Sequence, residues 1–524
     1  MILLAVQQLL FSSDSQNNDC NHRDSAKAFI SAVLLESAIR YSPDNAYLKF
    51  LAIEVFHRLD ATTRSWELYD KTGLKHIQLD SCSYLMYPYL FEGGLYNEAI
   101  DVCTALLRFQ RGSARDCGDF TGRAMNSGTL TKANEFMVFQ RQKMNRSLTF
   151  MYSKGLILDA APLIATEVPR MKHDANPILK GGIGITQGIV GGNDDNERTS
   201  QMVVEGHNPY AALSILSSLD HKVMNVDGDG LSDNRDLSIL NQSRFLLKPK
   251  VESKRKMVRN LLRRSHVHGV LMRASLCTSA VKGPRKGKVV KTSEVLERRT
   301  KSLLNSVLAA SDFLDKKTLS DTDADFNISF IEELLHVFLG LCRALSIVNT
   351  GLPMTDIGED SMEHRESRFV NEIQNSVISR FNKACEKLST ANGTKIVGSL
   401  LPSCLMPIFT VFRMCSTVCT AYGWGKRKTT KKASIAMAEF SKTFQVFLED
   451  KMIGCLLSLP SSESDPFHLQ YSLSDEESDV LDPDVVTRTI SVLGQSQYRT
   501  RMRLEPILHE MIDYLDEFDM MNKE

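Results

Sequence analysis

The chain has 524 residues, which is enough for several domains or for one long solenoid. Its 63 Lys and Arg residues balance its 63 Asp and Glu residues, so any strongly charged surface must be local. Eleven cysteines without a CxxC pair are typical of a reducing compartment and argue against a disulfide framework. With 43% hydrophobic and 24% charged residues, the composition is that of an ordinary soluble globular protein.

Residues 1–168 are predicted to form a helical-repeat solenoid. The apolar start, Met1 to Phe11, has no basic leader or cleavage site, so we interpret it as a helix and not as a signal peptide. Ser42 and Pro43 suit the start of the second helix. The helices predicted from apolar periodicity span 27–41, 43–59, 62–72, 80–92, 95–109, 115–126 and 130–144.

A turn recurs every 34 residues in this region, at Asp60, Gly94 and Gly128. At the same offset after each turn comes a small residue, and three positions later an apolar one: Ser65 and Leu68, Ala99 and Val102, Ala133 and Phe136. Small residues let helices approach closely, and the apolar residue fills the groove beside them. The period is that of a tetratricopeptide-type unit, which must stack on its neighbours to bury its apolar face.

Residues 169–243 are predicted to be a flexible insertion or linker. Six of the twelve residues in 181–192 are glycine, a density that neither helices nor strands tolerate. Within it, residues 225–236 follow the spacing of a twelve-residue calcium loop, with glycine at the sixth position. An Asp/Gly-rich turn is the alternative, because the first ligand is Asn225 and the last is the short Asp236.

Residues 244–524 are predicted to be helical without a clean repeat, beginning with a basic segment, 244–301. That segment holds 18 Lys and Arg residues and three acidic residues, a net charge of +15. It is either a solvated helix face followed by a basic loop or a contact for phosphate-rich RNA, such as the ribosome. Only one aromatic residue, Phe245, is present for base stacking, so we expect no sequence-specific nucleic-acid binding. The candidate ribosome or RNA contacts are Lys254, Arg255, Lys256, Arg259, Arg263, Arg264, Arg285, Lys286 and Lys288.

Long periodic segments follow, and strand alternation is nearly absent, which predicts an all-α protein. They span 252–276, 293–314, 326–347, 365–388, 432–457 and 501–518. The longest uncharged run, 396–412, contains two prolines and is short for a membrane span, so we expect a buried core helix. No membrane segment is predicted.

No catalytic or metal-binding constellation assembles from the sequence. Cys415 and Cys419 lie four residues apart but lack further ligands for zinc. Residues 181–184 are neither preceded by a strand nor followed by a helix, so a phosphate-binding loop is not expected. Hydrolase and kinase motifs are absent from the sequence. We therefore expect a chain without catalytic residues and without a metal.

Three sequence patches together resemble the auxiliary, non-catalytic subunit of the N-terminal acetyltransferase B complex. The first is residues 76–81 (HIQLDS), and the second is Ser127-Gly128 with the helix pair that follows to Leu148. The third is residues 233–237 (DNRDL), after the acidic loop. The resemblance covers about residues 40–300, and the chain is shorter than members of that family. The residues it implies for partner binding are Gln78, Asp80, Ser81, Lys132, Glu135, Phe136, Phe139, Asp233, Asn234, Arg235 and Asp236.

The resemblance implies a cytoplasmic scaffold that binds a small catalytic acetyltransferase and needs no cofactor of its own. The partner would bind acetyl-CoA and acetylate nascent chains beginning Met-Asp, Met-Glu, Met-Asn or Met-Gln.

The acetyl-CoA motif Q/R-x-x-G-x-G/A fails at Gly112, Gly182, Gly228 and Gly423, which have Phe109, Leu179, Asn225 and Thr420 three residues before them. Ribosome anchoring through the basic segment would bring the enzyme to emerging N-termini. The alternative function is a general helical-repeat adaptor that contacts an RNA-containing particle through that segment.

Overall fold

The described part of this computed structural model is helical. It comprises residues 5, 6, 9, 20–164, 231–236, 257, 267, 328–349, 362–388, 394–421, 431–462 and 481–523. The first helices are α1 (Cys20–Tyr41), α2 (Ala46–Arg58), α3 (Thr62–Asp70), α4 (Ile77–Cys82), α5 (Tyr87–Glu92), α6 (Tyr96–Asn126), α7 (Leu130–Val138) and α8 (Leu148–Ile164). The later helices are α9 (Ile328–Asn349), α10 (Met362–Asn371), α11 (Ser379–Leu388), α12 (Thr394–Leu400), α13 (Met406–Ala421), α14 (Lys431–Phe447), α15 (Gly454–Leu457) and α16 (Pro483–Lys523). The prediction of an all-α fold is confirmed.

The three predicted turns share one backbone geometry. Asp60, Gly94 and Gly128 all adopt left-handed φ angles, of 59°, 66° and 74°. In each turn the next amide closes a bond to the carbonyl five residues back, the signature of a Schellman helix end. These bonds are Ala61 to Phe56 (2.9 Å), Leu95 to Leu90 (2.7 Å) and Thr129 to Ala124 (2.9 Å). The 34-residue period is therefore a repeated helix stop and chain reversal.

The small residue after each turn packs where the new helix meets the preceding one. Ser65 and Ala99 are completely buried, and Ala133 is 1% exposed. The Ser65 hydroxyl donates to the carbonyl of Ile53 on α2 at 2.8 Å, which fixes the close approach of α3. The predicted register therefore holds at all three turns.

The prediction of two helices within 95–126 is wrong. Residues 96–126 form one helix of 31 residues, α6. A single Gly112 weakens a helix by about 1 kcal/mol and does not end it, and no turn-forming proline accompanies it. The repeat between Gly94 and Gly128 is thus one long helix, whereas the repeat between Asp60 and Gly94 holds α3, α4 and α5.

The C-terminal helices surround an aromatic core. Phe381 of α11 makes edge-to-face contacts with Phe440, Phe444 and Phe447, with ring centroids 5.1–5.7 Å apart. Such pairs stabilise a core beyond the area they bury. Short π-helical segments join α10 to α11 (Glu372–Ile378), α12 to α13 (Leu401–Leu405) and α14 to α15 (Leu448–Ile453).

Residues 397–417 are apolar and long enough to cross a membrane by composition, but 83% of their most apolar window is buried within the protein. They form α12, a π segment that accommodates Pro402, and α13. The predicted core helix is therefore present. Proline removes an amide donor from the helix, and a local change in the hydrogen-bond pattern is expected beside it.

The C-terminal helix α16 packs back onto the N-terminal helices. It begins at Pro483, eighteen residues before the predicted start, so its first half was missed. The Arg64 amide donates to the Ser496 hydroxyl at 3.1 Å, and Arg503 pairs with Glu98 at 2.8 Å. The N-terminal and C-terminal helices therefore share one continuous hydrophobic core.

Gly398 allows the closest approach between the two halves. A β-carbon at this position would lie 2.3 Å from the Phe91 carbonyl oxygen and 2.5 Å from that of Glu92. The Tyr96 hydroxyl also donates to the Gly398 carbonyl at 3.2 Å. The backbone of α12 thus rests directly on the end of α5, which only glycine permits.

Candidate functional site

Asp80 lies at the point where the three sequence patches meet. Its side chain is completely buried at the end of α4. One carboxylate oxygen accepts a hydrogen bond from the Ser147 hydroxyl, and the other accepts from the Asn234 amide at 2.8 Å. Asp80 belongs to the first patch, Ser147 to the second and Asn234 to the third, although they are up to 154 residues apart.

Residues 231–236 dock in extended form between α4 and the start of α8. The backbone amide of Ser232 donates to the Arg146 carbonyl at 2.7 Å, and its carbonyl accepts from the Leu148 amide at 2.9 Å. These two bonds make a one-residue parallel bridge. The backbone amide of Asp236 donates to the Ser81 carbonyl at 2.9 Å. We name residues 231–236 the docking segment. They are the part of the predicted linker that the structure describes.

A buried ion pair holds the docking segment in shape. Arg235 is 8% exposed, and its guanidinium donates to both carboxylate oxygens of Asp233, at 2.8 and 2.7 Å. It also lies over the Tyr84 ring, with 5.7 Å from its central carbon to the ring centroid. The Tyr84 hydroxyl donates to the Asp236 carbonyl at 2.9 Å. Bidentate pairing and stacking suit arginine and would not suit lysine.

The environment of Asp80 acts on its proton affinity. Burial raises the pKa of the Asp80 carboxyl above its ordinary value, because the charged form loses contact with water. Hydrogen bonds from Ser147 and Asn234 oppose this rise. Asp80 is a structural anchor, since its oxygens are already engaged by residues of this chain.

The docking segment covers the second half of the predicted calcium loop. At the ninth position, both carboxylate oxygens of Asp233 accept hydrogen bonds from the Arg235 guanidinium. Residues 225–230, which hold the first ligands, lie outside the described residues. Within the described ranges, no group of three or more His, Cys, Asp or Glu residues could hold a metal ion. The geometry of Asp233 favours the turn interpretation.

A second feature is a groove between α6 and α7, with a volume of about 590 Å³. Phe120 and Phe136 both line it, with ring centroids 5.6 Å apart. The residues lining it are His76, Phe109, Gly112, Ser113, Asp116, Cys117, Phe120, Glu135, Phe136 and Phe139. We name it the α6–α7 groove.

The residues predicted for partner binding fall into two groups in the structure. Asp80, Asn234 and Arg235 are held in contacts within the chain, together with the backbones of Ser81 and Asp236 and the side chain of Asp233. Of the other five, Glu135, Phe136 and Phe139 line the α6–α7 groove, and Gln78 and Lys132 are exposed. Lys132 pairs there with Glu135 at 2.7 Å. Contact of either group with a partner stays a prediction.

Sequence reasoning missed two aromatic residues of the groove, Phe109 and Phe120. They are eleven residues apart, which places them on one face of a helix only if that helix is continuous. The predicted break between 109 and 115 hid this relationship. All nine candidate ribosome or RNA contacts lie outside the described residues.

The two cysteines considered for zinc are buried in the C-terminal core. The Cys415 thiol donates to the Leu341 carbonyl at 3.6 Å. Burial raises the pKa of Cys415 well above its ordinary value and that of Cys419 to about 12. Both are therefore thiols at neutral pH and act as small apolar residues.

Comparison with known proteins finds matches of similar description for part of this chain. Residues 1–156 match the family described as the N-acetyltransferase B complex (NatB) non catalytic subunit. A human protein described as N-alpha-acetyltransferase 25, NatB auxiliary subunit, is 32% identical over 138 residues, which cover 26% of this chain and 14% of the relative. Its rat counterpart is 34% identical over 128 residues, 24% of this chain and 13% of the relative. The prediction that this chain is not the catalytic component agrees with the family's description.

A solved structure of the NatB acetyltransferase complex bound to a bisubstrate inhibitor contains a chain of the same fold. The TM-score is 0.50 at 11% sequence identity, covering 98% of this chain and 58% of that one. At that identity the likeness is one of fold alone. The protein therefore spans somewhat more than half the length of the solved chain.

Proposed function

We propose, on the premise that residues 1–156 belong to the family of non-catalytic NatB subunits, that this chain is the scaffold of such a complex. It binds and orients a separate catalytic acetyltransferase. The observation that carries this proposal is the convergence of the three family patches on Asp80, Ser147 and Asn234. Asp80 and Ser147 lie within residues 1–156, the region that matches the family, and Asn234 joins them from outside it.

The scaffold acts by shape and not by chemistry of its own. Helices on a shared core present a fixed surface, so binding the enzyme costs little ordering of the scaffold itself. A lasting complex of this kind buries more than about 2,000 Å². The catalytic partner supplies acetyl-CoA binding and acetylates N-termini beginning Met-Asp, Met-Glu, Met-Asn or Met-Gln. The scaffold needs no cofactor and works in the cytoplasm.

Co-expression of the full chain with the catalytic acetyltransferase of the same organism tests the proposal. The two proteins should co-purify in equal amounts through size-exclusion chromatography. A scaffold that elutes alone when the enzyme is present in excess would contradict it. As a specificity control, a catalytic acetyltransferase of a different N-terminal class should not co-elute.

The basic segment supports a further role in ribosome docking. Its net charge of +15 favours contact with phosphates, and such contact weakens steeply with salt. Replacing Arg285, Lys286 and Lys288 by Gln should lower ribosome binding and flatten its salt dependence while leaving the enzyme bound. Loss of ribosome binding with an intact complex separates this role from the scaffold role. Ribosome binding without any bound enzyme would instead favour the RNA-particle adaptor.

A further inference from the structure

Lys154 is a half-buried lysine without an acidic partner. It lies on α8, which packs side by side with α6. Its ammonium nitrogen lies 4.4 Å from the centroid of the Phe150 ring, one turn earlier on the same helix. The ring attracts the cation but does not neutralise it. No carboxylate of the described residues forms an ion pair with Lys154. A charge withdrawn from water in this way is stabilised by an anion or else loses its proton.

Arg111 of α6 adds a like charge to this place. Burial, and then repulsion from the Arg111 guanidinium, lower the pKa of Lys154 to about 8. The two cations are therefore close enough to repel each other. Like Lys154, Arg111 forms no ion pair with a residue of the described ranges. An anion that contacts both would replace their repulsion by two attractions.

Two further arginines extend the positive charge along the same face of α6. Arg108 and Arg115 lie one turn to either side of Arg111, and all three are exposed. Neither of the two pairs with a carboxylate in the part of the chain that the structure describes. From Arg108 to Arg115 the helix rises about 10 Å. We name Arg108, Arg111, Arg115 and Lys154 the α6–α8 cation cluster.

The acidic residues of the neighbouring helices do not cancel this charge. On the same face of α6, Asp101 lies two turns before the first arginine and Asp119 one turn after the last. Asp116 and Glu135 line the α6–α7 groove, and Asp159 is buried on a different face of α8 from Lys154. With Asp119 counted, four cations and one carboxylate leave a net charge of +3.

We infer that the α6–α8 cation cluster binds a small molecule that carries more than one phosphate group. Guanidinium groups pair with two phosphate oxygens at once, and an ammonium adds a point charge. The line of arginines, about 10 Å long, exceeds a single phosphate group, which favours a ligand with several. Lys154 is half-buried between two packed helices, where a compact ligand reaches it more easily than phosphates fixed on an RNA helix. This site is separate from the scaffold role and from the basic segment, 244–301.

Thermal unfolding of the full chain with and without tripolyphosphate tests the site. At constant ionic strength, millimolar tripolyphosphate should raise the melting temperature of the wild type by roughly 3 °C or more, and inorganic phosphate should raise it less. Lys154→Met keeps an apolar side chain but removes the charge, so most of the shift should disappear. Lys442→Met, at an exposed lysine of α14, is the control and should keep the full shift. No shift in the wild type, or an equal shift in Lys154→Met, would overturn the inference.

Calorimetric titration of an exposed position supplies a second test, independent of any folding defect at Lys154. Arg111→Gln should fold like the wild type and bind tripolyphosphate at least tenfold more weakly, whereas Arg40→Gln on α1 should bind it equally well. Unchanged affinity in Arg111→Gln overturns the site. A short RNA duplex is the competing probe. If the duplex binds more tightly than tripolyphosphate and loses this binding in Arg111→Gln, the ligand is a nucleic acid and the small-molecule assignment is wrong.

Discussion

The Asn234 side chain donates to the buried carboxylate of Asp80 at 2.8 Å, across 154 residues of sequence. The same amide donates to the Lys143 carbonyl at 3.0 Å. One side chain therefore ties the docking segment to α4 and to the π-helical segment Phe139–Met144 that follows α7. Because that segment leads into α8, the contact also fixes where the chain returns from α7 to the core.

Asn234→Ala should destabilise the protein by about 1.5–3 kcal/mol, because it leaves a buried carboxylate oxygen without its donor. Urea unfolding measures the loss, and hydrogen exchange of the Ser232 amide should accelerate as the docking segment detaches. Gln78→Ala is the control and should change stability by less than about 0.5 kcal/mol, since Gln78 is exposed. Equal stability of the two variants would mean that the segment is not anchored through Asp80.

The stability contribution of Asp80 should depend on pH. Burial raises its pKa in the folded state, so the folded protein holds this proton more tightly than the unfolded chain does. The cost of ionising Asp80 is absent below the ordinary pKa of 3.8 and is complete above the raised pKa. As pH falls from 7 toward 4, the wild type should therefore gain stability relative to Asp80→Asn. A difference that stays flat, or changes in the opposite direction, would contradict this assignment.

Gly398→Ala should separate the two halves of the molecule. Its β-carbon would meet the backbone oxygens of Phe91 and Glu92, which cannot move aside as a flexible side chain could. We expect a loss of about 2–3 kcal/mol or more. Gly454→Ala is the matched helical control, since its β-carbon would meet nothing within 4 Å. Thermal unfolding of both variants checks the prediction.

Replacing a glycine by alanine should lower the stability of the protein in the turns and raise it within α6. Gly128→Ala should cost about 1 kcal/mol from its left-handed backbone alone, because its β-carbon has open space. Gly94→Ala should cost more, since its β-carbon also approaches Leu504 to 3.0 Å. Gly118→Ala should stabilise by about 1 kcal/mol, because Gly118 lies inside a continuous helix. If Gly118→Ala destabilised the protein, the single helix α6 would be in doubt.

Features that repeat along the chain could be predicted from the sequence alone. A left-handed turn followed by a small residue at fixed spacing requires particular residue types, so Gly94 and Ala99 revealed the register. The start of α6 could be read in the same way, but its continuity could not. In the sequence, Gly112 looks like the end of a helix. Only the placement of Phe109 and Phe120 on one face shows that the helix continues through it.

Long-range contacts were harder to predict. Asp80 and Asn234 come from sequence patches that a family resemblance groups together, yet neither patch states that the two side chains touch. The return of α16 onto α3 depends on a hydroxyl, Ser496. The approach of α12 to α5 depends on a glycine, Gly398. Neither residue carries a periodic signal. Those contacts follow from tertiary packing, which single-sequence patterns do not encode.

The proposed scaffold role means that the chain assists catalysis without performing it. The direct measurement is acetyl transfer to a Met-Asp peptide by the catalytic acetyltransferase alone, by this chain alone and by the co-purified pair. We expect no activity for the chain alone and a pair that is substantially more active than the enzyme alone. Acetyl transfer by the purified chain itself, or a pair no more active than the enzyme, would contradict it.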